Sequence, residues 1–193
     1  MKLVPYERHD ADVKDWDPTA LEVFSFVRGQ VAAATPDHEV EHIGSTSVPG
    51  LPGKGIVDAM VLVVDDADAA RVAEQLTAAG WEHARGSTSW RPFLLAGVEQ
   101  DGNRTQVHVH VIGADSDEAT AQRGLAAALR EDPDLREEYA SLKRGVVAEG
   151  TRDPAQYSMK KIDWVLATLE RLGLPPLPDP GEPPPPPSPR SSP

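Results

Sequence analysis

The stretch Glu39-Val-Glu-His-Ile-Gly-Ser-Thr-Ser-Val-Pro-Gly-Leu-Pro-Gly-Lys-Gly-Ile-Val-Asp-Ala-Met-Val-Leu-Val-Val64 decides the fold. It reads as a short strand, a tight Gly/Ser/Pro loop and a second strand carrying one carboxylate, Asp58. Gly44 and its successors let the backbone bend and approach a ligand closely. Ser45, Thr46 and Ser47 add hydroxyl donors, and free N–H groups in such a bend can cradle an anion. Lys54 places a cation at the far end of the loop. Ile56 to Val64 is apolar almost throughout, as in a strand buried on both faces. An ionised Asp58 there is costly unless paired, hydrogen-bonded or metal-bound. Two readings stay open: a functional acid, or a strand-end Asp that fixes the loop.

Outward from this centre, Thr105 to Ile112 alternates strictly. Val107, Val109 and Val111 share one face, and Gln106, His108 and His110 share the other. The valine face is core. Two imidazoles at i, i+2 can share a metal or flank an anion, or lie inert on an exposed face. Trp90 to Leu95 reads as the preceding strand, with Arg91 and Phe93 on one face; Pro92 places it towards an edge. Asp101-Gly102-Asn103 is a turn that joins the two as a hairpin.

The run His42-Ile-Gly-Ser-Thr-Ser-Val-Pro-Gly-Leu51, followed by Lys54 and Ile56-Val-Asp58, resembles the signature of the GrpB family. That family is similar in fold to nucleotidyltransferases. The resemblance covers roughly residues 3 to 172 and implies an α/β (α+β) domain: a small mixed sheet flanked by helices. It implies that Gly44 and Ser45 hold phosphate, with Thr46 and Ser47 beside them, and that acids hold a divalent metal. It implies too that the histidine-bearing strand belongs to the site. The chain departs from the superfamily pattern where a second acid is expected. Two residues beyond Asp58 on the same strand face stands Met60, and a thioether does not hold magnesium. Three readings stay open: one metal held by Asp58 with help from the substrate; Asp58, His108 and His110 together as metal ligands, for magnesium or manganese first and zinc as the alternative; or a pocket that keeps phosphate binding without transfer.

The N-terminal residues 1 to 14 are polar. Asp17-Pro18 opens a helix with Leu21, Phe24, Val27 and Val31 as its stripe. A second helix follows Asp65 or Asp66 and stops at Gly80. A short strand over Trp81 to His83 precedes the hairpin. Three further helices follow. Asp115 and Glu118 have capping-box spacing before the first. Asp132-Pro133 and Asp153-Pro154 open the others. Leu135, Tyr139, Leu142 and Val146 line one of these; Tyr157, Ile162, Val165, Leu166 and Leu169 line the last. Tyr139/Lys143 and Tyr157/Lys161 repeat one i, i+4 spacing. Spacing alone reads each as a packed Tyr beside a solvated Lys; the resemblance adds the reading of a cationic wall, with Tyr157 and Lys161 in the site. The domain is expected over 1–173, and the proline-rich segment 174–193 as an unstructured tail.

The chain of 193 residues has a net charge of -12 and no cysteine. The tail holds two acids and one arginine, so the acidity belongs to the folded part. Without a basic block, nucleic-acid binding is disfavoured. The absence of cysteine excludes disulfide and thiolate chemistry and fits a cytoplasmic protein. No signal-like or membrane-spanning run is present. The expected partner is a phosphorylated small molecule. Lys54, Arg91, Arg104 and Lys161 are the candidate neutralising cations. Nucleotidyl transfer to a small acceptor is the leading reading, with Lys54, Asp58, His108 and His110 as catalytic candidates. A non-catalytic nucleotide sensor is the second, and metal-free acid–base chemistry by Asp58 and the histidines is the third.

Overall fold

A computed structural model describes residues 1–178. Six strands and five helices follow in the order β1 (Lys2–Val4), α1 (Thr19–Ala34), β2 (Val40–Ile43), β3 (Val57–Val63), α2 (Asp66–Ala78), β4 (Glu82–His83), β5 (Phe93–Gln100), β6 (Asn103–Gly113), α3 (Asp117–Glu131), α4 (Pro133–Ala148) and α5 (Pro154–Arg171). The sheet is mixed, in order β1-β5-β6-β3-β2, with β4 beside β1 on the outer edge of β5. Among the described strands, only β3 and β6 pair in parallel. The expected small mixed sheet flanked by helices is the fold observed.

Strand alternation sends the two faces to different layers. Val57, Ala59, Val61 and Val63 join Val107, Val109 and Val111 in one core under α1 and α2. Asp58, His108 and His110 project from the opposite face, since Asp58 pairs in register with His108 and Met60 with His110. Further along that face Met60, Leu62, Ile43 and Ile112 pack with Ala119 of α3. A second apolar cluster joins α3, α4 and α5 to Val48 and Leu51 of the loop. The loop is thus seated on the C-terminal helices as well as on the sheet.

Several local expectations shift for physical reasons. β5 is an interior strand, because Pro92 stands just before its first residue and leaves no missing donor inside the ladder. The hairpin turn puts Asp101 (φ 51°) and Gly102 (φ 81°) both in the left-handed region, as a two-residue turn requires. Ser116, not Asp115, caps α3 by accepting the Ala119 N–H at 3.1 Å. Leu21 is 45% exposed, and Ala20 and Val23 complete the α1 core stripe in its place. On α5, Ile162 and Leu166 lie at the surface while Val165, Thr168 and Leu169 turn inward. Leu174 and Leu177, assigned above to the tail, pack against the α3–α5 cluster. The remaining tail, from residue 179, lies outside the described residues.

Candidate functional site

Gly44 ends β2 with φ 70° and ψ -172°, a conformation reserved for glycine. Its missing side chain matters as much as its backbone. A Cβ there would lie 2.5 Å from Asp58 Oδ2, so the bend rests directly on the carboxylate. Ser45 to Ser47 then form one 3₁₀ turn. Three anchors fix it. Thr46 Oγ1 donates to the Ile56 carbonyl at 3.0 Å. Trp16 Nε1 donates to the Thr46 carbonyl at 3.0 Å, and Arg130 Nε to the Ser47 carbonyl at 3.0 Å. Ser47 turns inward and donates to the Gly44 carbonyl at 2.8 Å, so its hydroxyl closes the turn.

Asp58, His108 and His110 converge. His108 Nδ1 lies 3.2 Å and His110 Nε2 3.7 Å from Asp58 Oδ1. One donor atom from each residue falls within 4.8 Å of the other two. Tetrahedral bonds of about 2.0–2.1 Å would separate ligand atoms by about 3.3 Å, so these spacings suit a single ion. The aspartate side chain is 25% exposed, the histidines 16% and 17%. Burial pushes the Asp58 carboxyl up, but the hydrogen bonds and charges of the two histidines outweigh it and hold it well below the usual carboxylate range. Phe93 stacks on His110, ring centroids 4.5 Å apart, and meets His108 edge-on, which orients both imidazoles. His108 Nε2 is buried with no hydrogen-bond partner among the described residues.

The Met60 position is fully buried under α3, among Ile43, Leu62, Ile112 and Ala119. A second acid there would face an apolar cluster. Met60 is therefore part of the packing, and among the described residues the face presents one group of side chains that could hold an ion.

Lys143 enters the sequence reading only through the cationic wall that the resemblance implies, and its seat against the loop is absent from that reading. It is 0% exposed, not solvated. Its ammonium donates to Ser45 Oγ at 3.1 Å and to the Pro52 carbonyl, clasping both ends of the loop. It also lies 4.5 Å from the Tyr139 ring centroid. Lys161 sits 4.4 Å from the Tyr157 ring and 5.9 Å from that of Tyr139, and Lys54 sits 5.5 Å from Tyr157. Three amines and two aromatic faces thus form one wall. Burial depresses all three lysines. Lys143 falls to about 7, with Lys161 and Arg144 adding repulsion. Lys161 falls to about 8, through burial and Lys54, against the pull of Asp58. Lys54 is lowered by burial, and again Asp58 opposes. Among the described residues, no carboxylate lies within 4.0 Å of any of the three amines.

Arg91 and Arg104 do not join this wall. Arg91 forms a two-pronged pair with Glu118, its Nε donating at 2.8 Å. That pair also takes up the glutamate that sequence spacing assigned to a cap. Arg104 binds Glu7 at 2.7 Å and the Pro5 carbonyl, tying down the N-terminal segment. It stands four residues from His108, about 13 Å along the strand. Arg104→Ala should therefore loosen residues 5–8, read as faster amide exchange there, and leave affinity for inorganic phosphate unchanged.

A cleft of about 910 Å³ opens between the N-terminal segment, the loop and the β5–β6 hairpin. It reaches the constellation at Lys54 and His108 and includes Tyr6, Trp16 and Thr46, while the exposed Glu7, Asp10, Asp12, Asp15 and Asp17 line its outer part, with Lys14 and Arg104 among them. Asp58 and His110 are not among its walls. A smaller cavity of about 510 Å³, by His38 and Asp68, includes none of the candidate phosphate or metal residues.

This fold and loop define a class. A family profile described as "GrpB protein" matches residues 10–171, and the chain belongs to that family. It is 33% identical to a UPF0157 protein of Streptomyces coelicolor over 86% of this chain and 87% of that one. A UPF0157 protein of Pseudomonas aeruginosa is 32% identical over 74% of this chain, which spans 58% of that relative. Among solved structures, conserved protein GrpB from Enterococcus faecalis superposes with a TM-score of 0.68 at 26% identity, covering 83% of this chain and 96% of that one. The GLD-2/RNP-8 complex, at 12% identity, matches with a TM-score of 0.56 over 80% of this chain and 61% of that one, a likeness of fold. The protein is thus a GrpB-family member with a nucleotidyltransferase-like fold. No described helix is long and apolar enough to cross a membrane.

Proposed function

We propose that the protein binds a phosphorylated small molecule, a nucleoside triphosphate foremost, over the Gly44–Ser47 bend, and transfers its nucleotidyl group to a small acceptor. The unpaired amines of Lys54, Lys143 and Lys161 carry this reading. A chain of net charge -12 that encloses three amines, with no carboxylate among the described residues within 4.0 Å of them, is suited to receive an anion. Ser45 on the bend meets Lys143 directly, while the Thr46 hydroxyl is taken up by the Ile56 carbonyl and His42. The acidic outer cleft opposes a polynucleotide, which favours a small ligand.

Asp58, His108 and His110 would hold one divalent ion. Magnesium favours all-oxygen shells, so two imidazoles fit zinc or manganese better. Such an ion would neutralise charge on a phosphate oxygen. The chain's own part is to orient the imidazoles through Phe93, to fix the bend through Trp16 and Arg130, and to place the amines. Met60 favours a second reading, a phosphometabolite sensor without turnover, because it limits the face to one ion.

Titration with ATP, with and without manganese or zinc, tests the binding, and pyrophosphate release separates enzyme from sensor. No ATP binding in any of these conditions defeats both. The pH profile is specific to the amine wall. Binding should weaken as pH rises through about 7 and then about 8, where Lys143 and Lys161 lose their protons. The unliganded protein should do the opposite. Both folded values lie below the ordinary 10.5, so over that interval the unfolded chain binds more protons and stability rises with pH.

A further inference from the structure

Within the amine wall Lys143 differs from Lys54 and Lys161 in what it touches. It is fully enclosed, and its nitrogen meets a hydroxyl, Ser45 Oγ, at 3.1 Å. Ser45 is half-buried and sits at the first position of the turn. Its neighbours explain why the hydroxyl points where it does. A Cβ on Gly53 would lie 3.0 Å from Ser45 Cβ and 3.9 Å from Lys143 Nζ, so the bare glycine makes room for the pair.

We propose that Ser45 is a nucleophile whose proton passes to Lys143, and that the protein forms a covalent phosphoserine-type intermediate with its phosphorylated substrate. This rests on the phosphate reading of the bend. In the step, Ser45 Oγ forms a bond to phosphorus as the bond from that phosphorus to the bridging oxygen of the leaving group breaks. The hydroxyl proton goes to the neutral Lys143 amine, which becomes an ammonium. Attack at the α-phosphorus releases pyrophosphate and leaves a nucleotidyl group on Ser45. Attack at the γ-phosphorus releases the nucleoside diphosphate and leaves a phosphoryl group. Water or the acceptor then displaces the serine oxygen.

Three features support the assignment. The nitrogen and hydroxyl are within hydrogen-bond reach, the geometry a nucleophile and its base need. Burial first, and then the charges of Lys161 on α5 and Arg144 on its own helix, disfavour the proton on Lys143, and among the described residues no carboxylate pairs with it. The amine donates to the Pro52 carbonyl as well as to Ser45 Oγ; on losing a proton it keeps the hydrogen toward Pro52 and turns its lone pair to Ser45.

The test uses the full chain and phenylmethanesulfonyl fluoride, with intact mass and peptide mapping as readout. Ser45 should be sulfonylated in preference to the exposed serines, and its labelling rate should rise about tenfold between about pH 6 and 8 as the base loses its proton. Lys143→Arg, which keeps the charge, should remove that rise. Because a variant at this buried position can fail to fold, the wild-type profile decides independently. No labelling at Ser45, or a rate flat in pH, overturns the proposal. Incubation with ATP then reports the transferred group by its mass. Nucleotide binding without Ser45 labelling sinks the covalent step and leaves the proposed function standing. Labelling without any nucleotide binding sinks the proposed function instead.

Discussion

Asp58→Asn should abolish divalent-ion binding while leaving metal-free phosphate binding in place. Asparagine keeps the size of the side chain and its seat against Gly44, where the carboxylate oxygen meets the bend. It removes the charge that holds His108 and His110 at 3.2 and 3.7 Å. Loss of a partner that merely orients a ligand typically weakens metal affinity ~10–100-fold, and loss of the single anionic ligand should exceed that. The amine wall responds in the opposite direction. Asp58 favours the charged forms of Lys54 and Lys161, so its neutralisation lowers both pKa values further and leaves the cations without any nearby anion. Inorganic phosphate should then bind the variant at least as well below pH 7. Calorimetric titration with manganese and, separately, with phosphate reads the two effects. Retained manganese affinity would place the ion elsewhere, and lost phosphate affinity would show that carboxylate and anion sites are one.

How far this site could be read from the chain follows from the range of the signals. The bend, Asp58 and the histidine pair are local patterns. A glycine-hydroxyl run and a period of two put each residue on a face, and one register, Asp58 opposite His108, brings the faces together. The fold was legible for the same reason, since the apolar β3 run and the valines of β6 call for layers on the sheet. The burial of Lys143 against the loop was not legible. Its partner Ser45 is 98 residues away, and a lysine four residues after a tyrosine reads as a solvated neighbour until a loop closes over it. The arginines fail in mirror image. Arg91 and Arg104 look like free cations because Glu118 and Glu7, which neutralise them, arrive from remote segments. The surface positions of Leu21, Ile162 and Leu166 have a similar origin. A helical period places a stripe but not its centre, and only the neighbouring layers select which adjacent column is covered.

The second large effect is expected at Gly44, and Gly55 supplies its control. Both have positive φ, 70° and 71°. Around Gly55 no atom lies within 4 Å of an added Cβ, so Gly55→Ala meets backbone strain alone, about 1–2 kcal/mol. Gly44→Ala meets more. Its φ and ψ together fall in a region that alanine enters at roughly 1–3 kcal/mol, and the new Cβ would stand 2.5 Å from Asp58 Oδ2. Neither neighbour yields easily. Asp58 is held by two histidines, and the bend is held by Trp16, Arg130 and Lys143. In a domain of this size ~1 kcal/mol moves Tm by about 2–4 °C, so the two variants separate clearly in a thermal scan. Gly55→Ala should keep manganese affinity. Gly44→Ala should lose more stability and, in the fraction that folds, lose the ion as well, because the carboxylate must turn away from the imidazoles to admit the methyl group. Equal destabilisation with manganese affinity intact in both would mean that the bend and the carboxylate are independent, and that their contact at Gly44 has no part in the site.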